Sequence, residues 1–247
     1  MPELAASRYD AVVFDMDGVI TDTARTHAQA WKRMFDEYLL ARSDATDEPF
    51  EAFTDADYRQ YVDGKHRDDG VESFLAARGI HLSRGEPSDA SDQATVWGLA
   101  NRKDLDFQRA LAEEGAEVFP SSVALVRALQ LHGVGTAVVS ASKNCQRVLE
   151  AAGVGDLFRV RVDGIVSEEL GLPGKPSPAT FLEAARRLGS DPGRAVVVED
   201  AVAGVEAGRR GRFALVVGVD RAGQAAQLKA AGADVVVSDL SELQAVP

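Results

Sequence analysis

The chain has 247 residues and a formal net charge of −12, and 45% of its residues are hydrophobic. This balance is typical of a globular enzyme or binding protein and excludes a fibrous or disordered chain. The single cysteine, Cys145, excludes a disulfide scaffold, and the acidic excess argues against a nucleic-acid partner. No apolar stretch reaches the roughly 18 residues that a membrane span needs. We therefore expect a cytoplasmic protein without a membrane segment.

Five short apolar runs predict buried strands of a mostly parallel sheet, because they are rich in valine and too short for helices. The runs are Ala11–Phe14, Thr136–Val139, Ala195–Val198, Ala214–Val217 and Val235–Val237. Helical patterns lie between several of them. One pattern runs from Ser142, as N-cap, to about Ala152, and another runs from Ser177-Pro178 to about Gly189. This alternation predicts an α/β fold.

The segment between Ala24 and Gly115 contains no convincing buried strand. Its apolar residues follow helical patterns, as at His27–Leu40, Val71–Arg78 and Thr95–Leu111. An unstructured connection of about 90 residues would be unusual, so we predict a helical insertion. Residues 1–23 and 116–247 then form an α/β core domain. Residues 24–115 form an α-helical domain inserted after the first strand.

Two aspartates, Asp15 and Asp17, end the first predicted strand and precede Gly18. The carboxyl ends of the strands line the ligand crevice of an open α/β sheet. Carboxylates so close together repel each other unless one holds a proton or a cation lies between them. Asp15 suits a nucleophile and metal ligand, and Asp17 suits a proton carrier. The simpler alternative is a strand end followed by a turn at Gly18, because the motif is short.

A hydroxyl and two lysines stand where strands end or helices begin. Ser140 follows the second core strand, and the next helix start, with Lys143, can bind an anion. Lys175 stands in Gly174-Lys175-Pro176-Ser177-Pro178, directly before a helix, and can hold a phosphoryl oxygen. Taken singly, these residues also fit an ordinary helix cap, a surface lysine and a helix entry.

A second acidic pair, Glu199 and Asp200, ends the third core strand. Together with Asp15 it offers hard oxygen ligands, which suit Mg²⁺. Each pair alone has a simple structural explanation. A set of acids, a hydroxyl and a lysine that can meet in one crevice nevertheless predicts an active site.

The order and spacing of these residues resemble the four motifs of the haloacid dehalogenase superfamily. The residues that carry the resemblance are Asp15, Asp17, Ser140, Lys175, Glu199 and Asp200. The runs Phe14–Thr23 and Ser140–Asn144, with His27 and Trp31, are similar to its β-phosphoglucomutase-like branch. The resemblance covers the whole predicted core. It implies a doubly wound, mostly parallel sheet with an inserted α-helical cap domain.

The resemblance implies phosphoryl transfer through an aspartyl phosphate. Asp15 would attack phosphorus, and Asp17 would protonate the leaving oxygen and then deprotonate the next acceptor. Mg²⁺ would be held by the Asp15 carboxylate, the Asp17 backbone carbonyl and Asp200, with Glu199 as a ligand or the neighbour of one. The residues that would stabilise charge on the transferred group are Ser140 and Lys175.

Further substrate residues follow from the same resemblance. Arg67, in Gly64-Lys65-His66-Arg67, would meet the second phosphate of a sugar bisphosphate. Lys103 would reach the site, and Thr23 and His27 would position Asp17. His27 and Lys103 also fit exposed polar positions on helices. The other candidate substrate residues are Gly64, Ala141, Ser142, Lys143 and Asn144. Asp63 stands where the branch often has lysine, which leaves the fit of this loop open.

The resemblance implies a mutase that acts on a small sugar phosphate and interconverts β-D-glucose 1-phosphate and glucose 6-phosphate. We expect a monomer, although the sequence does not determine the oligomeric state. A mutase needs a second phosphate site and exclusion of water, and Arg67 with residues 142–144 could form that site. A sugar-phosphate phosphatase is the first alternative, because the same core residues can transfer the phosphoryl group to water. A phosphoaspartate receiver domain is more remote. Its phosphorylated aspartate follows a later strand, and about half this length suffices for it.

Overall fold

The computed structural model describes residues 2–46 and 49–247. The chain divides into two compact units. The core unit comprises Met1–Asp22 and Ala116–Pro247, and the helical unit comprises Thr23–Gly115. The division lies one residue earlier than the sequence predicted, because Thr23 belongs to the helical unit. Asp47 and Glu48, within the inserted segment, lie outside the described residues.

A six-stranded parallel sheet runs through the core unit. The strands of the described chain are β1 (Glu3–Ala5), β2 (Ala11–Asp15), β3 (Gly135–Val139), β4 (Val160–Val162), β5 (Ala195–Glu199), β6 (Leu215–Val219), β7 (Val235–Val237) and β8 (Gln244–Val246). The order in the sheet is β4-β3-β2-β5-β6-β7, and every neighbouring pair is parallel. β1 and β8 form a separate parallel pair. The predicted α/β fold with a doubly wound parallel sheet is confirmed.

Helices account for most of the remaining chain. They are α1 (Ala24–Thr46), α2 (Asp55–Asp57), α3 (Arg67–Ala77), α4 (Val96–Glu114), α5 (Pro120–Leu131), α6 (Cys145–Ala151), α7 (Gly164–Leu170), α8 (Ala179–Arg187), α9 (Val202–Arg210) and α10 (Ala225–Ala231). A π-helical turn at Tyr58–Val62 follows α2, and 3₁₀ turns lie at Pro192–Arg194 and Leu240–Glu242. No helix in the described residues is both long and apolar enough to cross a membrane.

The central strands are apolar throughout because both faces of the sheet are covered. Residues 11–14 of β2 have no solvent exposure. Val13 packs on the face that receives Phe181 of α8 and Val205 of α9. Phe14 points to the opposite face, where its ring centre lies 6.1 Å from that of Phe158. This two-sided burial produces a continuous apolar strand whose first polar side chain is Asp15.

The helical unit has its own hydrophobic core, built from aromatic residues of α1, α3 and the loop before α2. The ring of Phe35 lies 4.3 Å from Phe74 and 5.0 Å from Phe53, centre to centre. Trp31 stacks on Phe35 at 5.3 Å. Aromatic side chains bury large apolar areas and pack well in tilted or offset pairs. The unit therefore has a core that is separate from the sheet.

Candidate active site

Three predicted site residues, two catalytic and one for the metal, lie at the carboxyl ends of adjacent strands. Asp15 is the last residue of β2, Ser140 follows β3, and Glu199 is the last residue of β5. β2 lies between β3 and β5. The chain adds β3 and β4 on one side of β2 and then crosses back to add β5, β6 and β7 on the other side. Such a reversal opens a crevice outside the strand ends. The topology thus brings the three side chains to one edge of the sheet.

A buried ion cluster occupies this edge. The ammonium group of Lys175 donates hydrogen bonds to Asp15 Oδ1 and Glu199 Oε1, and all three side chains are at most 8% exposed. Burial lowers the pKa of Lys175, but the adjacent carboxylates outweigh it and raise this pKa above its ordinary value. Lys175 is therefore charged. It stands before α8 in the loop that the sequence singled out.

The pKa of Asp15 indicates that the positive charge of Lys175 does not balance the negative charge of this cluster. Burial raises the pKa of Asp15 well above its ordinary value; Lys175 opposes this shift, and the carboxylates of Glu199 and Asp17 add to it. An ionised Asp15 therefore requires further positive charge nearby. A bound cation would supply that charge.

Carboxylate oxygens of Asp15, Glu199 and Asp200 meet the geometric requirement of a metal site. One oxygen from each lies within 4.8 Å of the others. Hard oxygen donors with an excess of negative charge suit a divalent cation such as Mg²⁺ or Ca²⁺. The residues present therefore fit the metal that the sequence predicts.

Glu199 is held more tightly than the other two acids. Its Oε1 accepts from Lys175, and its Oε2 accepts from the backbone N–H of Ala201 at 2.5 Å. A Cβ atom at position 204 would overlap this carboxylate, so only glycine fits there at the start of α9. These contacts orient Glu199 toward Lys175.

Asp17 and Ser140 lie beside the cluster. The hydroxyl of Ser140 donates to Asp17 Oδ2 at 3.5 Å and accepts from the backbone N–H of Ser142 at 3.1 Å. Ser140 is buried, whereas Asp17 is partly exposed. Asp17 can therefore exchange protons with solvent or with a bound ligand, a requirement of general acid–base catalysis.

The segment after Ser140 differs from the prediction. Ser142 does not cap a helix: α6 begins at Cys145, and the hydroxyl of Ser142 accepts from the N–H of Asn144 at 3.1 Å. Residues 142–144 form a turn because serine also hydrogen-bonds readily to nearby backbone groups outside helices. Lys143 forms an ion pair with Glu168 of α7 at 2.6 Å. Ala141 is partly exposed, and the side chain of Asn144 is buried.

In the helical unit, His27 and Lys103 form a buried pair. Lys103 Nζ lies 2.7 Å from His27 Nδ1, and the His27 ring stacks on Phe107 at 3.9 Å. A lysine ammonium group only donates, so His27 Nδ1 is the acceptor in this contact. The alternative that both residues are exposed is wrong, since His27 is 9% and Lys103 is 5% exposed. Thr23 is also buried, and its carbonyl accepts from the His27 N–H.

Arg67 begins α3, three residues after Gly64, whose positive φ of 69° forms the turn. Its Nη2 donates to Asn101 Oδ1 at 3.1 Å, and its guanidinium lies 5.7 Å from the Trp97 ring centre. Asn101 in turn donates to the carbonyl of Asp89 at 2.8 Å. These contacts orient the guanidinium within the helical unit.

Sequence reasoning missed two residues that contact the acidic segments. Arg221 donates to the carbonyl of Gly18, and Gln224 donates to the carbonyl of Asp200, both at 3.0 Å. Neither residue belongs to a motif or to a periodic pattern of apolar residues, so the sequence around them could not have identified them.

Comparison with known proteins shows the family of the chain. A family model described as haloacid dehalogenase-like hydrolase matches residues 9–212. The chain is 50% identical over 237 residues to a β-phosphoglucomutase of Mycobacterium tuberculosis, covering 94% of this chain and 90% of that protein. It is 32% identical over 235 residues to a β-phosphoglucomutase of Bacillus subtilis, covering 94% and 91%. A crystal structure of β-phosphoglucomutase from Clostridium difficile shares the fold, with a TM-score of 0.76, 24% identity and coverage of 95% and 92%. The chain therefore belongs to the haloacid dehalogenase-like hydrolase family, in its β-phosphoglucomutase-like branch.

Proposed function

We propose that this protein interconverts β-D-glucose 1-phosphate and glucose 6-phosphate through an aspartyl phosphate and a sugar bisphosphate. The observation that carries the proposal is the contact between Asp15 and the charged Lys175 at the carboxyl end of β2. It places a nucleophile beside a fixed positive charge, as phosphoryl transfer requires. The 50% identity to a named β-phosphoglucomutase favours a sugar phosphate as the substrate.

Asp15 is the proposed nucleophile. Its Oδ1 accepts from Lys175, so the other carboxylate oxygen attacks phosphorus while the bond from phosphorus to the sugar oxygen breaks. Asp17 donates its proton to that leaving oxygen. In the second half, Asp17 takes a proton from the acceptor hydroxyl, which attacks phosphorus and releases Asp15. Ser140 and Lys175 stabilise charge on the transferred group.

The proposed cofactor is Mg²⁺, held by the carboxylates of Asp15 and Asp200 and by the backbone carbonyl of Asp17. When bound, Mg²⁺ polarises the phosphoryl oxygens and neutralises developing charge. Glu199 orients Lys175 through one oxygen and is a further ligand of this metal or the neighbour of one. Four carboxylates near one lysine support the need for this cation.

The protein acts in the cytoplasm as a monomer in this proposal, on a small anionic substrate. Its net charge of −12 opposes both nucleic acid and an approaching sugar phosphate. Lys175 and a bound cation would reverse this field at the acidic edge of the sheet, and Arg67 adds positive charge in the helical unit.

Phosphorus NMR tests the reaction. We expect β-glucose 1-phosphate, incubated with enzyme, Mg²⁺ and a trace of the 1,6-bisphosphate, to yield glucose 6-phosphate. Release of inorganic phosphate alone would establish a phosphatase, the first alternative, which also fits the hydrolase family description. The absence of both products would contradict β-glucose 1-phosphate as the substrate.

Arg67 is proposed to bind the second phosphate, and the helical unit is proposed to act as the cap. We expect Arg67→Ala to lower kcat/KM for the mutase reaction by about 100-fold, because a forked guanidinium binds phosphate through paired charged hydrogen bonds. Hydrolysis of a small aryl phosphate should change by less than about twofold, since it has no second phosphate. Arg102→Ala is the control, an exposed arginine paired with Glu37. Equal losses in both reactions would exclude this role for Arg67.

A further inference from the structure

A loop of the core unit that contains none of the sequence motifs touches both acidic segments. It comprises residues 220–224, between β6 and α10, and we call it the bracing loop. The backbone N–H of Gln224 donates to Asp220 Oδ1 at 2.7 Å. The backbone N–H of Asp220 donates to the carbonyl of Val237, also at 2.7 Å. These bonds close the loop and attach it to the edge of the sheet.

Arg221 of the bracing loop holds the segment that follows Asp17. Its Nε donates to the carbonyl of Gly18 at 3.0 Å, and its Nη1 donates to the carbonyl of Ser238 at 3.1 Å. The guanidinium carbon lies 3.7 Å from the ring centre of Phe119. The Arg221 side chain is only 21% exposed. Its hydrogen bonds and its stacking on Phe119 restrict the orientation of the guanidinium plane. The position of the Gly18 carbonyl is therefore coupled to that of the bracing loop.

Gln224 holds the other acidic segment. Its Nε2 donates to the carbonyl of Asp200 at 3.0 Å. Asp200 lies in the turn between β5 and α9, where the backbone is outside the sheet ladder. A side-chain amide that binds its carbonyl limits the rotation of this turn.

The two segments touch directly. A Cβ atom at Gly18 would overlap the Asp200 carboxylate, and Gly18 has a φ of +80°, a conformation that favours glycine. The Gly18 backbone therefore lies so close to the Asp200 carboxylate that no side chain fits between them. One closed loop anchors both sides of this contact, through side chains three residues apart.

We propose that Arg221 and Gln224 are positioning residues that set the spacing of the metal ligands. They donate hydrogen bonds to the backbone carbonyls of Gly18 and Asp200. The carboxylate of Asp200 can therefore still bind the metal. Mg²⁺ demands nearly ideal octahedral geometry at about 2.0–2.1 Å, so small shifts of its ligands weaken binding strongly. The inference rests on the proposed function and deepens it, because it names what determines the affinity of the magnesium site.

The test compares Gln224→Met with wild type by calorimetric titration of the full chain with Mg²⁺, without substrate. Methionine has a similar length but no donor. We expect the Kd for Mg²⁺ to rise by about tenfold, the lower end of the range for contacts that support metal ligands. The Mg²⁺ concentration for half-maximal turnover should rise by the same factor, whereas KM for the sugar phosphate at saturating Mg²⁺ should stay constant. Gln227→Met is the control, because Gln227 is exposed on α10.

A second variant guards against a folding defect. Arg221→Lys retains the charge and loses the fork, and we expect it to weaken Mg²⁺ binding in the same direction. A folded Gln224→Met protein with a lower Tm but an unchanged Kd for Mg²⁺ would overturn the proposal, since a merely structural contact behaves in that way. No Mg²⁺ binding by the wild type would overturn the metal site itself, and this inference with it. If the wild type had mutase activity but did not bind Mg²⁺, the proposed reaction would stand and only the metal site would be excluded.

Discussion

Asp15→Asn is expected to abolish turnover while the fold remains intact. Asparagine matches aspartate in shape but its amide oxygen is a poor nucleophile, so no aspartyl phosphate forms. Loss of a residue that forms a covalent intermediate lowers kcat by about 10⁴-fold or more. The measurement is kcat for glucose 6-phosphate formation, together with trapping of the phosphoenzyme by rapid acid quench.

The thermal stability of Asp15→Asn separates a chemical effect from a folding defect. Burial disfavours the ionised Asp15, so a neutral side chain should leave Tm unchanged or raise it in the absence of divalent cations. Asp10→Asn is the matched control, an exposed aspartate just before the same strand that pairs with Arg194. Retained activity in purified Asp15→Asn protein would refute the nucleophile assignment.

Lys175→Ala is expected to reduce both stability and activity. The ammonium group bonds two buried carboxylates, and its removal takes away the positive charge that both of them contact. Removing one partner of a buried ion pair costs about 3–5 kcal/mol of unfolding free energy. Activity should fall by about 10²- to 10³-fold, as for other fixed donors that stabilise transition-state charge. Urea unfolding and steady-state kinetics measure the two effects.

The pH dependence of this variant gives an independent check. A carboxyl whose folded-state pKa is raised stabilises the fold at low pH, and this contribution is lost as pH rises through that pKa. Without Lys175, the raised pKa of the buried Asp15 carboxyl should make the variant more stable at mildly acidic pH than at pH 8. Lys229→Ala, an exposed lysine that donates to the carbonyl of Asp234, should change stability by less than about 0.5 kcal/mol. A similar small change in Lys175→Ala would contradict the importance of the cluster.

The local sequence was sufficient to predict the parallel sheet. β2, β3, β5 and β7 lie where valine-rich runs predict strands, and β6 is shifted by one to two residues. Their two-sided burial makes each run continuously apolar, which is a signal within a few residues. β4 was missed because Arg161 interrupts its three residues, and β1 and β8 because they are short and partly polar. Short edge strands are defined by their pairing partners more than by their own composition.

The chemical types of the candidate site were also predictable, whereas their pairing was not. The spacing of Asp15 and Asp17, and their place after a strand, predicted an acidic edge of the sheet. Nothing in the sequence indicated that Lys175 bonds Glu199 as well as Asp15, or that Lys103 is buried against His27. Such contacts join residues 24 to 160 positions apart. These contacts depend on tertiary packing, which the periodic patterns of a short sequence segment do not predict.

By itself, the sequence determined the α/β core, the helical insertion and the residue types at the strand ends, because periodicity and residue chemistry are local properties. Tertiary structure alone decided that Ser142 belongs to a turn, that both oxygens of Glu199 accept hydrogen bonds, and that the bracing loop reaches Gly18 and Asp200. The physical reason is that an electrostatic site is defined by distances, and distances between remote residues arise only when the sheet and its loops pack together.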